Sequence, residues 1–454
     1  MDGEHYPPVI RDALDRLRDT GTEPVLAVVL GGTEKVARHG ADLELGVPVA
    51  WLPRGPGGPA PDPDAAADGL TRILATSQPD VVVDRSDEPV LDARTRMRLA
   101  AVTLHAGAAY EGPDFAFTPP PRPRLADRPS IAVIGVGKRT GKTAITGALA
   151  RAAAAGGRQP IVVAMGRGGP PDPVLVPVEA ILDPVALLAV ADAGGHAASD
   201  FYEDAVTAGV ATVGARRCGG GLAGGVGDSN VAEAVAMATR LPGDLLLLEG
   251  SGAAIPPVQA DATVLVVPGD ADPSVLTDHL GPYRLLLADL IVVTMAEPPR
   301  SSAAQVAAVV EAIRSLSRRV PVLVTAFRPV PLGSVSGSRV LFATTAPAAV
   351  GQALADSLER EHGCEVVAWS HRLADRDALA HDLRSAPAFD VLLVELKAAA
   401  VDVAARFATD AGARVVFCDN RPLLVDAAGQ PTHRGMNHGW IPLLTIADEK
   451  FATS

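Results

Sequence analysis

Positive charge is scarce in this chain, as are cysteines, aromatic rings and long apolar runs. Its 40 lysines and arginines face 53 acidic residues, a formal net charge of −13. That balance argues against a sequence-independent grip on nucleic acid. Anionic small molecules stay open as substrates, because a pocket needs only local positive charge. The three cysteines, Cys218, Cys364 and Cys418, form no CxxC pair, which removes a disulfide frame and a thiolate zinc site and fits a reducing compartment. No HExxH is present. No apolar run approaches the ~18 residues that span a bilayer, and Met1 to Pro8 lacks the basic-then-apolar pattern of a signal peptide. The expected setting is cytoplasmic, with no membrane and no nucleic-acid partner.

What is abundant is Ala, Val and Leu, and that usage suits α/β layers, with Val/Leu/Ile strands buried between Ala-rich helices. At 454 residues the chain is long for one core, so two or three domains are expected. Pro53 to Pro63 reads as a surface loop and Pro119 to Pro129 as a stiff linker. Strands are expected near Pro24–Leu30, Val47–Trp51 and Val81–Asp84, and helices near Ala65–Ala75 and Leu91–Leu104. The strand ends carry two polar clusters, Gly31–Lys35 and Asp84–Glu88, where open α/β sheets place ligands and also solvated turns. A second set of strands is expected at Ile131–Ile134, Ile161–Ala164, Leu245–Leu248, Thr263–Val267 and Leu290–Val293. A third follows at Val322–Thr325, Val340–Thr344, Val366–Trp369, Val391–Glu395 and Val415–Cys418, with helices at Ala349–His362 and Ala399–Ala411. The expected architecture is α/β: a P-loop sheet domain (126–318) flanked by a small α/β domain (1–125) and a Rossmann-like α/β domain (319–454).

The most specific motif is Gly135-Val-Gly-Lys-Arg-Thr-Gly-Lys-Thr143, between the strand Ile131–Ile134 and a strong helix former, Ala144–Ala155. Strand, glycine-rich loop and helix make a phosphate cradle: backbone N–H groups curl around the anion and the helix start adds positive dipole. Gly135, Gly137, Thr140, Gly141, Lys142, Thr143 and Ala144 are the expected nucleotide contacts. Lys142 is expected on the β and γ phosphates, and the Thr143 hydroxyl on Mg²⁺. The first glycine sits at 135, one residue further out than the standard spacing, a register that resembles dethiobiotin synthetase. Lys138 and Arg139, inside the loop, read as added charge over the transferring phosphoryl group or as solvated surface charge. Asp244 to Gly252 is a buried strand ending in Glu-Gly-x-Gly, and Glu249 at its tip is the expected metal or water-positioning carboxylate. Asp172 is a second metal candidate.

Three further segments carry anion-binding chemistry. Met165-Gly-Arg-Gly-Gly-Pro-Pro-Asp-Pro173 offers Arg167 and Gly168 in a flexible loop. Arg216 and Arg217 precede a glycine run, and guanidinium forks match phosphate oxygens bidentately. His196 opens an acidic helix start in which Asp200, Glu203 and Asp204 read equally well as charges complementing the dipole.

Taken together, Asp2–Pro8, Gly31–Lys35, the P-loop, Met165–Pro173, the block from His196 to Gly225 and Glu395-Leu-Lys-Ala-Ala-Ala-Val-Asp402 resemble the cyclic 2,3-diphosphoglycerate synthetase family. The resemblance runs from residue 2 to about Pro422. It implies an ATP- and Mg²⁺-dependent ligase that closes 2,3-bisphosphoglycerate to a cyclic pyrophosphate. Arg167, Arg216 and Arg217 would then serve the substrate phosphates, with His371, Arg372 and Lys397 as further contacts. The expected assembly is a homodimer. Rival readings are a 2-phosphoglycerate kinase, another dethiobiotin-synthetase-like ligase, and an ATP-driven nucleotide switch. The switch needs a signature lysine at the position of Gly137. No motif covers Leu423 to Ser454.

Overall fold

The computed structural model describes residues 1–32, 43–52, 60–426, 429–432 and 436–454. Thr33 to Lys35 of the first polar cluster and residues 53–59 of the proline-rich loop lie outside them. The chain divides into two compact units. One comprises Met1–Pro120 with Pro273–Leu287 and Ala312–Arg318; the other comprises the remainder.

The first unit opens with α1 (Pro7–Asp19), β1 (Ala27–Val29), β2 (Val49–Trp51), α2 (Pro63–Ser77), β3 (Val81–Val83), α3 (Ala93–His105), β4 (Ala109–Glu111) and β5 (Ala116–Phe117). Aspartates start α2 and α3: Asp62 accepts from the Ala65 N–H and Asp92 from that of Thr95, each at 2.8 Å, as N-cap residues do. β1 pairs with β2, and β3 with β4 and β5, as two small sheets. A cavity of about 640 Å³ in this unit is lined largely by apolar side chains, among them Leu14, Leu70, Leu74 and Tyr110. Asp84, from the second polar cluster, is a satisfied interior carboxylate. It accepts from Arg96 Nε (2.8 Å), the Tyr110 hydroxyl (2.9 Å) and the Ser86 N–H (2.8 Å).

The second unit is built on a single 13-stranded sheet. Its first stretch runs β6 (Ser130–Gly135), α4 (Lys142–Ala155), β7 (Pro160–Gly166), β8 (Val174–Val176), α5 (Pro184–Asp192), α6 (Asp200–Ala208), β9 (Thr212–Cys218), β10 (Asp228–Ser229), α7 (Val231–Ala238), β11 (Leu245–Glu249) and β12 (Ala262–Pro268). After α8 (Ser274–Thr277) and α9 (Gly281–Leu287) of the first unit come β13 (Leu290–Thr294), α10 (Ala303–Leu316) and β14 (Val322–Pro331). The sheet order through this stretch is β9-β7-β11-β6-β12-β13-β14, all parallel. β6, β7, β11, β12 and β13, the inner strands of this stretch, are buried along almost their whole length, as the apolar runs of a parallel sheet covered on both faces are.

The chain continues through β15 (Arg339–Ala343), α11 (Gly351–His362), β16 (Glu365–Ser370), α12 (Arg376–Ser385), β17 (Val391–Glu395), a π-helical turn (Ala400–Ala405), α13 (Arg406–Asp410), β18 (Arg414–Leu424) and α14 (Asn437–Ala452). β14 pairs antiparallel with the long β18, and β18, β17, β15 and β16 then follow in parallel. The sheet therefore passes from the 126–318 stretch into the 319–454 stretch without a break. The unassigned tail supplies α14, whose Trp440, Leu443 and Ala447 enter the same core as Ile131, Ile145, Leu149 and Val264. Among the described residues no helix is long and apolar enough to cross a membrane.

Candidate active site

The site is built at the carboxyl end of β6, where the loop 136–141 turns into α4. Gly141 stands at φ +91°, the left-handed region that favours glycine. A Cβ there would also meet the Phe327 ring at 2.6 Å. No side chain caps α4, so its first N–H groups stay available to an anion. The loop is held from below by Thr294, whose hydroxyl donates to the Thr140 carbonyl at 2.7 Å. Lys138 and Arg139 are exposed in the loop, whereas Thr140, Lys142 and Ala144 are buried.

Lys142 Nζ donates to the Gly137 carbonyl (2.9 Å) and the Gly252 carbonyl (3.1 Å), with Thr140 Oγ1 at 3.4 Å. Burial lowers its pKa to about 8, a fall that Glu249 and Asp200 oppose. β11 lies between β6 and β7, and this puts Glu249 beside the first turn of α4. The Thr143 hydroxyl donates to Glu249 Oε1 at 2.8 Å, and Oε2 of Glu249 has no hydrogen-bond donor. Burial pushes the Glu249 carboxyl above its ordinary value.

α6 runs alongside and adds three acids. Asp200 is exposed, but Glu203 and Asp204 are buried, so only Asp200 is the solvent-facing helix-start charge that all three could have been. Burial pushes Glu203 up to about 8, and its ion pair with Lys397 Nζ at 3.0 Å limits that rise. Against its own burial, Lys397 is held charged above the ordinary ammonium value by Glu203 and Glu395. Glu395, at the tip of β17, accepts from the Thr344 and Thr345 hydroxyls (2.6 and 2.7 Å), the Thr345 N–H (2.8 Å) and Asn420 Nδ2 (2.9 Å). The 319–454 stretch thus delivers a cation to the neighbourhood of the P-loop.

Two guanidinium groups complete the site. Gly252 stands at φ +60°, and a Cβ there would meet Arg167 Nη2 at 2.7 Å and Arg217 Nη2 at 3.2 Å. Both forks therefore reach one point, beside the carbonyl that holds Lys142. Arg217 donates to the Ser251 and Gly219 carbonyls, each at 2.7 Å. Burial, and then the Arg167 charge, lower its pKa. Among the described residues neither guanidinium has a carboxylate within ion-pair distance. Two like charges converging without a counter-ion make a receptor for an anion.

β9 separates the adjacent arginines. Successive residues of a strand face opposite ways, and Arg217 is buried while Arg216 is exposed. The Arg216 main-chain N–H donates to Asn230 Oδ1 at 2.7 Å. His196 lies over Gly168, with Nδ1 at 3.7 Å from where a Cβ would stand, at a cleft of only about 30 Å³. Asp172 is exposed in the β7–β8 loop and shares no hydrogen bond with Thr143 or Glu249. His371 and Arg372 are exposed beyond β16. The Arg372 N–H donates to Ser370 Oγ at 3.2 Å, and that hydroxyl donates to Asp382 of α12 at 2.7 Å.

Three family models match the chain in series. The cyclic 2,3-diphosphoglycerate synthetase N-terminal domain matches residues 1–118, the P-loop domain 130–326 and the C-terminal domain 331–421. A cyclic 2,3-diphosphoglycerate synthetase of Rubrobacter xylanophilus is 47% identical over 425 residues, 93% of this chain and 93% of the relative. That of Methanothermus fervidus is 42% identical over 433 residues, 94% of this chain and 92% of the relative. Among solved structures, LpxK from Aquifex aeolicus in complex with ATP is similar at a TM-score of 0.40 and 11% identity, over 73% of this chain and 90% of that one; nothing further rests on so distant a likeness.

Proposed function

The chain belongs to the cyclic 2,3-diphosphoglycerate synthetase family, and from that membership we propose that it closes 2,3-bisphosphoglycerate to a cyclic pyrophosphate while ATP becomes ADP and phosphate. The observation that carries the reading is the convergence of Arg167 and Arg217 on Gly252, whose carbonyl also holds the P-loop lysine. It supports a site for a second phosphate-bearing anion next to the nucleotide cradle.

The Thr143 hydroxyl and the donor-less Oε2 of Glu249 suit a hard, oxygen-loving cation, and these two residues would hold Mg²⁺. The ion would supply charge neutralisation on the transferring phosphates. Lys142 grips the β and γ phosphates, exchanging its bonds to Gly137 and Gly252 for phosphate oxygens. Arg167 and Arg217 hold one substrate phosphate and Lys397 bears on the other. The γ-phosphoryl group moves onto an oxygen of one substrate phosphate, forming a P–O bond as the β–γ bridge breaks. An oxygen of the neighbouring phosphate then attacks the inner phosphorus and expels inorganic phosphate. The two phosphates sit on adjacent carbons, so ring closure gains from proximity. The attacking phosphate is already ionised and needs no general base, which leaves His196 and His371 as binding groups.

Calorimetric titration of 2,3-bisphosphoglycerate onto the protein tests the reading. Binding that is lost on Arg217→Ala and on Arg167→Ala supports it; unchanged binding to both variants overturns it. Nothing in the site favours a kinase that stops at the open bisphosphate, or a bare nucleotide switch. A homodimer and a cytoplasmic setting belong to the same proposal. Light scattering of the purified chain at the mass of two copies supports the dimer, and the mass of one copy overturns it.

A further inference from the structure

Asp204 is an interior acid with no ion-pair partner among the described residues. It lies on the apolar face of α6, three residues after Phe201 and four before Ala208, and its exposure is 0%. Neither of its carboxylate oxygens has a hydrogen-bond donor, and neither does Oε2 of Glu249. The two carboxyls lie side by side, within hydrogen-bonding reach of each other. Two buried carboxyls that meet only each other, with no cation between them, are strongly unfavourable, and their retention asks for a function or an ion.

The neighbouring cations are already engaged. Lys142 is bonded to the carbonyls of Gly137 and Gly252, Lys397 to Glu203, and Arg217 to the carbonyls of Ser251 and Gly219. What remains is three carboxylate oxygens without donors, beside the Thr143 hydroxyl on Oε1 of Glu249. A set made only of oxygens, with two acids and no histidine or thiol, is the chemistry of a hard divalent cation. Among the described residues no three His, Cys, Asp or Glu side chains group as a metal site. Sparse protein ligation of this kind leaves Mg²⁺ free to keep waters and take phosphate oxygens.

We propose that Asp204 is the second carboxylate of the Mg²⁺ site, acting on the ion or on a water bound to it, and that the uncompensated pair Asp204–Glu249 is held in place because that ion neutralises it. The inference rests on the reading that Thr143 and Glu249 hold Mg²⁺.

The test uses the full chain with a non-hydrolysable ATP analogue and Mn²⁺, followed by electron paramagnetic resonance, in wild type, Asp204→Asn and Glu249→Gln. Asp204→Asn should weaken Mn²⁺ binding about 10- to 100-fold, the usual effect of losing a supporting metal-site residue. The Tm of the metal-free variant should hold or rise, because one of two crowded buried acids is gone. A residue kept only for structure would lower that Tm, so a fall of several degrees overturns the proposal. Mn²⁺ binding within about twofold of wild type in Asp204→Asn, with Glu249→Gln clearly weakened, also overturns it. If neither variant weakens Mn²⁺, the Thr143–Glu249 reading fails as well. Should Asp204→Asn not fold, Fe²⁺-directed backbone cleavage of the wild-type chain decides. Cuts at both 203–205 and 248–250 support the proposal, and cuts at 248–250 without 203–205 overturn it.

Discussion

Lys142 donates to two backbone carbonyls, those of Gly137 and Gly252, bonds that phosphate oxygens can replace. Burial lowers this lysine from 10.5 to about 8. Between those values the unfolded chain binds more protons than the folded one, so this group adds stability as pH rises through the window and withdraws it below. The nucleotide-free protein should therefore gain Tm between pH 8 and 10 relative to Lys142→Met, as read by calorimetry across pH. Phosphates favour the ammonium form, so ATP binding near pH 8 should take up protons, seen as a dependence of the binding heat on buffer ionisation enthalpy. Glu249→Gln should abolish ATP turnover while far-UV circular dichroism stays unchanged. Arg216 and Arg217 should behave unlike each other. Arg217→Ala should raise KM for 2,3-bisphosphoglycerate about 10- to 100-fold, the equivalent of charged hydrogen bonds worth ~1.5–3 kcal/mol. Arg216→Ala, on the exposed face of β9, should change it less than about threefold.

Among the elements, α14 has the least obvious part. It packs on α4, the helix that follows the P-loop, through Trp440, which is 2% exposed, Leu443 and Ala447. Trp440→Ala should cost ~3–5 kcal/mol in denaturant unfolding, as large-to-small changes in a tight core do, and should lower ATP turnover indirectly. The repeated buried strands were legible because β6, β7, β11, β12, β13 and β17 are unbroken apolar runs between breakers. The P-loop was legible because its glycines, lysine and threonine are dictated by phosphate geometry. β9 was harder to see: Thr212-Val-Gly-Ala-Arg-Arg-Cys218 mixes charge into a strand, so its adjacent arginines read as a pair. In the sequence Asp204 read, with Asp200 and Glu203, as a charge at a helix start. Its burial next to Glu249 was not legible, because it depends on how α6 packs beside the end of β11. The contribution of Lys397 likewise needed the packing of α6 against the end of β17. Leu423 to Ser454 carries no phosphate-binding pattern, which left its helix unread.

For the molecule as a whole, the parallel β13–β14 pairing makes one sheet of what the sequence divides at residue 318. The stretch 319–454 borrows β13 as a neighbour of β14 and lends α14 to the core around Ile131. An isolated 319–454 fragment should then lack cooperative unfolding, by calorimetry and proton resonance dispersion, since its edge and core are completed elsewhere in the chain. The same continuity brings Lys397, from the 319–454 stretch, into an ion pair with Glu203 of α6. The account stands on the claim that the protein spends ATP to make a ring, with the phosphate released from the substrate side. The direct measurement is a reaction with ATP, Mg²⁺ and 2,3-bisphosphoglycerate in ¹⁸O-water, followed by phosphorus resonance and mass analysis of the products. The account requires a cyclic pyrophosphate signal, with inorganic phosphate carrying no solvent oxygen. Phosphate that has taken an oxygen from water, with the bisphosphate left open, would contradict it.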